Sequence, residues 1–311
     1  MSGQPKYRLV TRSDFDGLVC AVLLEKLDMI DDILFVHPND MQQGKVIILN
    51  TDITTNLPYV PGVHLAFDHH ESEIKRVGTG IDNYINDAHA PSAARVVYEY
   101  YGGRETFKTI DLDIMTAVDK ADSARFTKEE VLSPTSWAIL SFIMDPRTGL
   151  GRFRGFRIPN YEFMMALINF VHENSITEIL ELTDVKERID LYLEHQDKFI
   201  DQIKRCSIVN KNLVILDLRD EEIIFSGNRF MIYVLFPKCN ISMHVLNGRR
   251  GKGVMFAVGK SIFDRSSKTN IGRLMLKFGG GGHISAGTCQ VENSKALSVQ
   301  SELIKRIKSD G

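Results

Sequence analysis

The chain has 311 residues, of which 43% are hydrophobic and 25% charged, and its formal net charge is -2. That length favours two domains over one core, and the near-neutral charge excludes a general attraction to nucleic acid, so any anion-binding surface must be local. No stretch approaches the roughly 20 apolar residues of a bilayer span, and residues 1–6 hold no apolar leader, so a cytoplasmic protein without a membrane partner is expected.

Over the first 125 residues, short apolar runs alternate with helical patterns. Residues 7–11, 33–36, 46–50 and 64–67 read as strands, and 17–27 and 92–101 as helices. Such alternation predicts a parallel sheet with right-handed crossovers and helices on both faces. From 107 to 204 the spacing is mostly helical, and the charged stretch 185–204 predicts a long helix bridging two domains. Beyond Cys206, residues 213–216, 231–235, 241–245 and 254–258 read as strands, and 295–307 as a closing helix. The predicted class is therefore α/β: a parallel-sheet domain with a helical extension over 1–205, and a smaller α/β domain over 206–311. Cys20, Cys206, Cys239 and Cys289 stand apart, without the spacing of a metal or redox pair.

The chemistry gathers after the early strands. Asp14 and Asp16 follow the first, Asp52 follows the run 46–50, and Asp68-His69-His70 closes the run 63–67. Ligands of parallel sheets bind beyond the carboxyl ends of the strands. Taken singly, Asp14 or Asp16 reads as a helix cap and Asp52 as a turn residue. The triplet is harder to read that way, because an acid and two imidazoles at the end of an apolar strand need solvent or a partner. Carboxylates with neutral imidazole suit manganese, iron or magnesium better than a structural zinc.

On these residues the chain resembles the DHH-family phosphoesterases, in particular the small exopolyphosphatase-related and nano-RNase-like members. The resemblance implies one or two divalent ions, Mn2+ first and Mg2+ or another divalent ion as alternatives. Its motifs fall on Asp14 and Asp16, on Asp52, on Asp68-His69-His70, and on Asp122, with Asp119 as the near alternative. It implies metal binding by Asp14, Asp16, Asp52, His69 and Asp122, with Asp52 bridging, and catalysis by Asp52, Asp68, His69 and His70. Asp68 would orient one of the two imidazoles. The string Gly279-Gly280-Gly281-Gly282-His283 resembles the GGGH motif of the DHH-associated domain, preceded at the family's spacing by a segment that carries Arg265 and Asn270. Arg265, Asn270, Gly280, Gly281, Gly282 and His283 are accordingly expected to bind substrate.

One departure stands out: Arg12 occupies the place where many members carry a histidine two residues before the first aspartate. A guanidinium cannot ligate a metal, so either one ion position is weakened or Arg12 replaces part of its charge and holds a substrate phosphate. Residues 145–157 interleave Arg147, Arg152, Arg154 and Arg157 with Phe153 and Phe156, which suits either phosphate pairing with base stacking or a charged surface loop. The expected activity is metal-dependent hydrolysis of a phosphate ester or anhydride in a nucleotide, short oligonucleotide or polyphosphate. The alternative is a module that binds such a ligand without turnover. A homodimer is left open.

Overall fold

The computed structural model describes residues 5–248 and 251–311; residues 1–4 of the amino-terminal stretch read above lie outside it. The chain forms two compact units, 1–126 with 134–191, and 127–133 with 192–311. The boundary expected near 205 is thus replaced by a division after Leu191, inside a long helix, and seven residues from earlier in the chain join the second unit.

The first unit opens with β1 (Tyr7–Thr11), α1 (Phe15–Lys26), β2 (Ile30–Phe35), α2 (Pro38–Gln42), β3 (Asp52–Thr55), β4 (Leu65–Asp68), α3 (Glu71–Val77), β5 (Tyr84–Asn86), α4 (Ala93–Tyr100) and α5 (Leu112–Asp122). Among the described residues its strands make one parallel sheet in the order β2-β1-β3-β4-β5. The chain leaves β1 toward β2 on one side, and β3 lies on the other. That reversal opens a crevice beyond the carboxyl ends of β1 and β3, where ligands of such sheets bind. After α6 (Lys128–Leu132), which belongs to the second unit, the first unit is completed by α7 (Ser136–Met144), α8 (Asn160–Glu173), α9 (Ile176–Glu181) and the first part of α10 (Thr183–Arg205).

α1 is the hub of this unit, since residues 15–24 are all buried. A helix apolar on every side belongs inside a core. It begins as early as it does because Gly17 has no side chain: a Cβ there would stand 2.0 Å from the Arg12 carbonyl oxygen. The turn after β1 can therefore fold tightly against the first turn of the helix.

The third strand corrects the sequence reading. The run 46–50 is not a strand; Val46 and Ile48 pack as half-buried cover on a cluster of Val10, Met41 and Leu57, while Ile47 is 78% exposed. The strand is the next segment, Asp-Ile-Thr-Thr, buried throughout and placed between β1 and β4. β-branched Ile53, Thr54 and Thr55 suit that central place, and Thr55 Oγ1 donates to Thr11 Oγ1 at 2.7 Å across the ladder.

The second unit holds β6 (Ser207–Asn210), β7 (Leu213–Asp217), α11 (Met231–Leu235), β8 (Ile241–Asn247), β9 (Val254–Lys260), α12 (Ile271–Leu276), β10 (Gly281–Gly282), β11 (Ala286–Val291) and α13 (Ala296–Asp310). Its mixed sheet runs β10-β11-β9-β8-β7-β6. The core includes Leu213, Ile241, Met243, Phe256, Ile271, Leu274, Leu303 and Ile307. Residues 231–235, read as a strand, are the helix α11. A five-residue apolar run has no period that separates the two states, and Met231, Ile232 and Tyr233 are all buried.

Candidate active site

Three side chains converge beyond the carboxyl ends of the first sheet. One ligand atom each from Asp16, His69 and Asp122 lies within 4.8 Å of the others. Asp16 sits in the first turn of α1, and its carboxylate accepts from Ala93 N at 3.0 Å and Ala94 N at 2.8 Å. These amides belong to the first turn of α4, where unpaired N–H groups favour an anion. His69 follows β4, and its Nδ1 faces the Ala90 carbonyl oxygen at 3.2 Å. That partner fixes the proton on Nδ1 and leaves Nε2 as a ligand atom. Asp122 is the last residue of α5, a helix end whose dipole disfavours a carboxylate. A cation at the cluster offsets that penalty.

The donor set fits a divalent ion. Among the described residues His69 Nε2 is buried without an aligned hydrogen-bond partner, 3.0 Å from Asp122 Oδ2. Two carboxylates and an imidazole suit manganese or magnesium.

The three groups act strongly on one another. Burial, then the charge of Asp122, pushes the Asp16 carboxyl up to about 7, against the pull of His69 and the Ala94 amide. Burial opposes the charge on His69, but Asp122, Asp16 and Asp68 together outweigh it and raise the imidazole to about 9. Burial would also raise Asp122; His69, His70 and Arg12 reverse this and hold it below the usual carboxylate range.

Asp14 caps α1 by accepting from Gly17 N at 3.1 Å, and its other oxygen pairs with Arg12 Nε at 3.1 Å. Asp68 is fully buried: Oδ1 faces His70 Nδ1 at 2.6 Å, and Oδ2 accepts from Tyr84 OH at 2.9 Å. It therefore orients His70, while His69 is held by the Ala90 carbonyl. Of the two fourth-motif alternatives, Asp122 joins the cluster; Asp119 accepts from Ser92 Oγ at 2.7 Å and from Arg95 at 3.0 and 2.6 Å.

Asp52 is not brought to the cluster. It opens β3 beside Arg8, at the amino end of the strand, and is fully buried. Arg8 clasps it with Nε at 2.9 Å and Nη2 at 2.7 Å, and Leu49 N donates at 2.7 Å. The residue at the opposite end of that strand is Asn56, which the sequence reading passed over. It is 1% exposed, its φ of +54° lies in the left-handed region, and neither amide atom has a hydrogen-bond partner among the described residues. The signal was the β-branched triplet 53–55 followed by Asn-Leu-Pro, which ends a strand at Asn56.

The arginine-rich segment divides in two. Arg157 pairs with Asp184, and Arg188 lies over the Phe156 ring at 4.3 Å, so that end is structural. Arg147, held by Asp145 at 2.7 Å, feels the charges of Asp14 and Asp122.

In the second unit the glycines differ from one another. A Cβ on Gly280 would meet the Thr288 carbonyl oxygen at 2.1 Å, and Gly282 takes a φ of +150°, whereas Gly281 has open space around it. The His283 amide donates to the Ala286 oxygen at 2.7 Å, which makes this an ordered loop. Asn270 caps α12 by accepting from Arg273 N at 3.0 Å. Arg265 Nε donates to the Ile262 oxygen at 3.4 Å.

Carboxylates and an imidazole gathered at the switch point of a parallel sheet form a metal-binding donor set where ligands of such sheets bind. No family model matches the chain, and no curated protein does. Among solved structures, a pGpG-specific phosphodiesterase, PggH from Vibrio cholerae, is 58% identical with a TM-score of 0.84, over 98% of this chain and 100% of that one. An exopolyphosphatase-related protein from Bacteroides fragilis is 14% identical with a TM-score of 0.54, over 98% of this chain and 93% of its own. RecJ from Thermus thermophilus, solved with Mn2+, is 12% identical with a TM-score of 0.58, over 98% of this chain and 52% of that protein. The last two likenesses speak for the fold alone. The chain belongs to the DHH family of metal-dependent phosphoesterases.

Proposed function

We propose that the protein is a manganese-dependent phosphodiesterase that hydrolyses a linear guanine dinucleotide, pGpG, to two molecules of GMP. The observation that carries this reading is the 58% identity, over 98% of this chain, to a protein described as specific for that substrate. Arg12 in the first motif, and the place of Asp52 at the amino end of β3, leave the Asp16, His69 and Asp122 cluster intact.

Asp16, His69 and Asp122 would hold the ion. Bound there, a divalent ion increases the acidity of water and offsets charge on the phosphoryl group. The side chains around it perform the remaining tasks. Asp68 fixes His70 through Nδ1, which directs Nε2 to carry a proton to the departing sugar oxygen. Arg12, steadied by Asp14, and Arg147, steadied by Asp145, place positive charge for the phosphate oxygens.

The test is direct. Purified protein with Mn2+ is incubated with pGpG, with inorganic polyphosphate, with a 3'-phosphorylated adenosine nucleotide and with a generic phosphodiester, and products are separated by anion exchange. GMP from pGpG, with at most slow release from the others, is expected. If no product forms from pGpG with Mn2+ or Mg2+ while the protein still binds it, the chain is a binding module instead.

A further inference from the structure

We propose that this site holds a single divalent cation, with the Asn56 side-chain oxygen as its fourth protein ligand and the Arg12 guanidinium in place of a second cation. The inference rests on the metal-dependent reading above for the presence of an ion, and goes beyond it in the count and the ligand set.

Asn56 carries the first part. An amide buried to 1% exposure with both polar atoms unpartnered loses its hydration without compensation. Its place in the fold says what would satisfy it. Asn56 follows the last residue of β3, and its N–H donates to the Phe67 oxygen at 3.0 Å, so its backbone still runs beside the end of β4. On one side, β1 leads into Arg12, Asp14 and Asp16; on the other, β4 leads into Asp68 and His69. Between those strand ends a neutral carbonyl oxygen is a suitable donor to a hard cation. The left-handed backbone, at φ +54°, is one that asparagine tolerates better than most residues.

Charge carries the second part. Asp16 and Asp122, ionised against a cation, supply two negative charges, and His69 and Asn56 supply none; the sum matches one divalent ion. A second ion would depend on Asp14. That carboxylate is already in contact with Arg12, 3.1 Å from its Nε, and with the Gly17 amide. Two ions would bring four positive charges, with Arg12 a fifth, against Asp14, Asp16 and Asp122 and the buried Asp68 behind His70. Two-metal sites bring their ions within about 4 Å of each other, where such an excess has no partner. A fixed guanidinium beside one ion supplies positive charge for a phosphate without that cost.

The experiment counts ions without substrate. The full chain is stripped with a chelator and titrated with Mn2+, and free Mn2+ is followed by electron paramagnetic resonance. One equivalent per chain is expected. Asn56→Gly, which keeps the left-handed backbone and removes the oxygen, should weaken binding roughly tenfold or more. Asn56→Asp, of the same size, should tighten it, and the pair Arg12→His with Asn56→Asp should take up two equivalents. Near-ultraviolet circular dichroism of the metal-free variants confirms that each is folded. Two equivalents in the unaltered protein, or unchanged affinity in both single variants, would overturn the proposal. One equivalent bound without GMP release from pGpG would overturn the phosphodiesterase reading and leave the ion count standing.

Discussion

The two ends of β3 hold buried polar side chains in opposite states. At the amino end, Asp52 has two contacts from Arg8 and one from the Leu49 amide, and its negative charge is matched within the fold. At the carboxyl end, Asn56 is as deeply buried and has no partner for either amide atom among the described residues. Folding tolerates the first arrangement as structure and leaves the second as an unmet demand. The difference teaches that burial of a polar group does not mark a site; burial without partners, at the edge where ligands enter, does.

This contrast can be broken most sharply at His69. His69→Ala removes a ligand at the carboxyl edge and should lower kcat/KM on pGpG by about three orders of magnitude, the equivalent of roughly 4 kcal/mol of transition-state stabilisation. A loss under tenfold would place the metal elsewhere. Removing a carboxylate at the other end should act on folding instead. Asp52→Ala leaves Arg8 beside an empty, buried socket and should cost about 3 kcal/mol in urea unfolding, with Mn2+ affinity unchanged in the folded fraction. Double replacement of Arg8 and Asp52 by apolar residues should recover much of that loss. Weakened Mn2+ binding in Asp52→Ala would bring Asp52 back into the metal centre.

Asp68 lies between these cases, buried and satisfied yet joined to His70. Asp68→Asn should lower kcat about a hundredfold, as expected when a general acid loses its orienting partner, with Mn2+ affinity nearly unchanged. If KM rises while kcat holds, His70 positions substrate and does not carry a proton.

The smallest effect is one of pH. Asp16 at about 7 and His69 at about 9 both hold protons more tightly in the folded state than their ordinary values of 3.8 and 6.5 allow. Stability from each is therefore full below its unfolded value and lost as pH rises through its folded one. The metal-free protein should therefore lose stability from pH 3.8 to about 7 through Asp16 and from 6.5 to about 9 through His69, while apparent Mn2+ affinity rises because ligand protons no longer compete. Calorimetry in buffers of different ionisation heat should detect proton release on binding. Affinity that is flat across this window would mean the cluster binds no metal.

Much of the fold and part of the site were legible in the sequence. The alternation of strands and helices, the tight turn at Gly17 and the triplet at the end of β4 follow from local rules of period and capping. The third strand was hidden because the run 46–50 is more apolar than residues 52–55, although only the latter is central. A buried central strand can be built from threonines when their hydroxyls pair with one another, as Thr11 and Thr55 do. That shift of one segment moved Asp52 from the edge where ligands bind to the opposite end, and concealed Asn56. The fate of the arginines in 145–157 was not legible either, because Asp184 and Arg188, which settle the roles of Arg157 and Phe156, lie about thirty residues further on.

The burial of α1 from Phe15 to Leu24 also bears on the order in which the molecule opens. The amides of its buried turns should exchange with heavy water only when the whole unit unfolds. Asp16 travels on that helix, while His69 and Asp122 sit where a strand and a helix end. Partial opening should therefore separate the cluster from its outer members inward and leave Asp16 as the fixed point on which it reassembles.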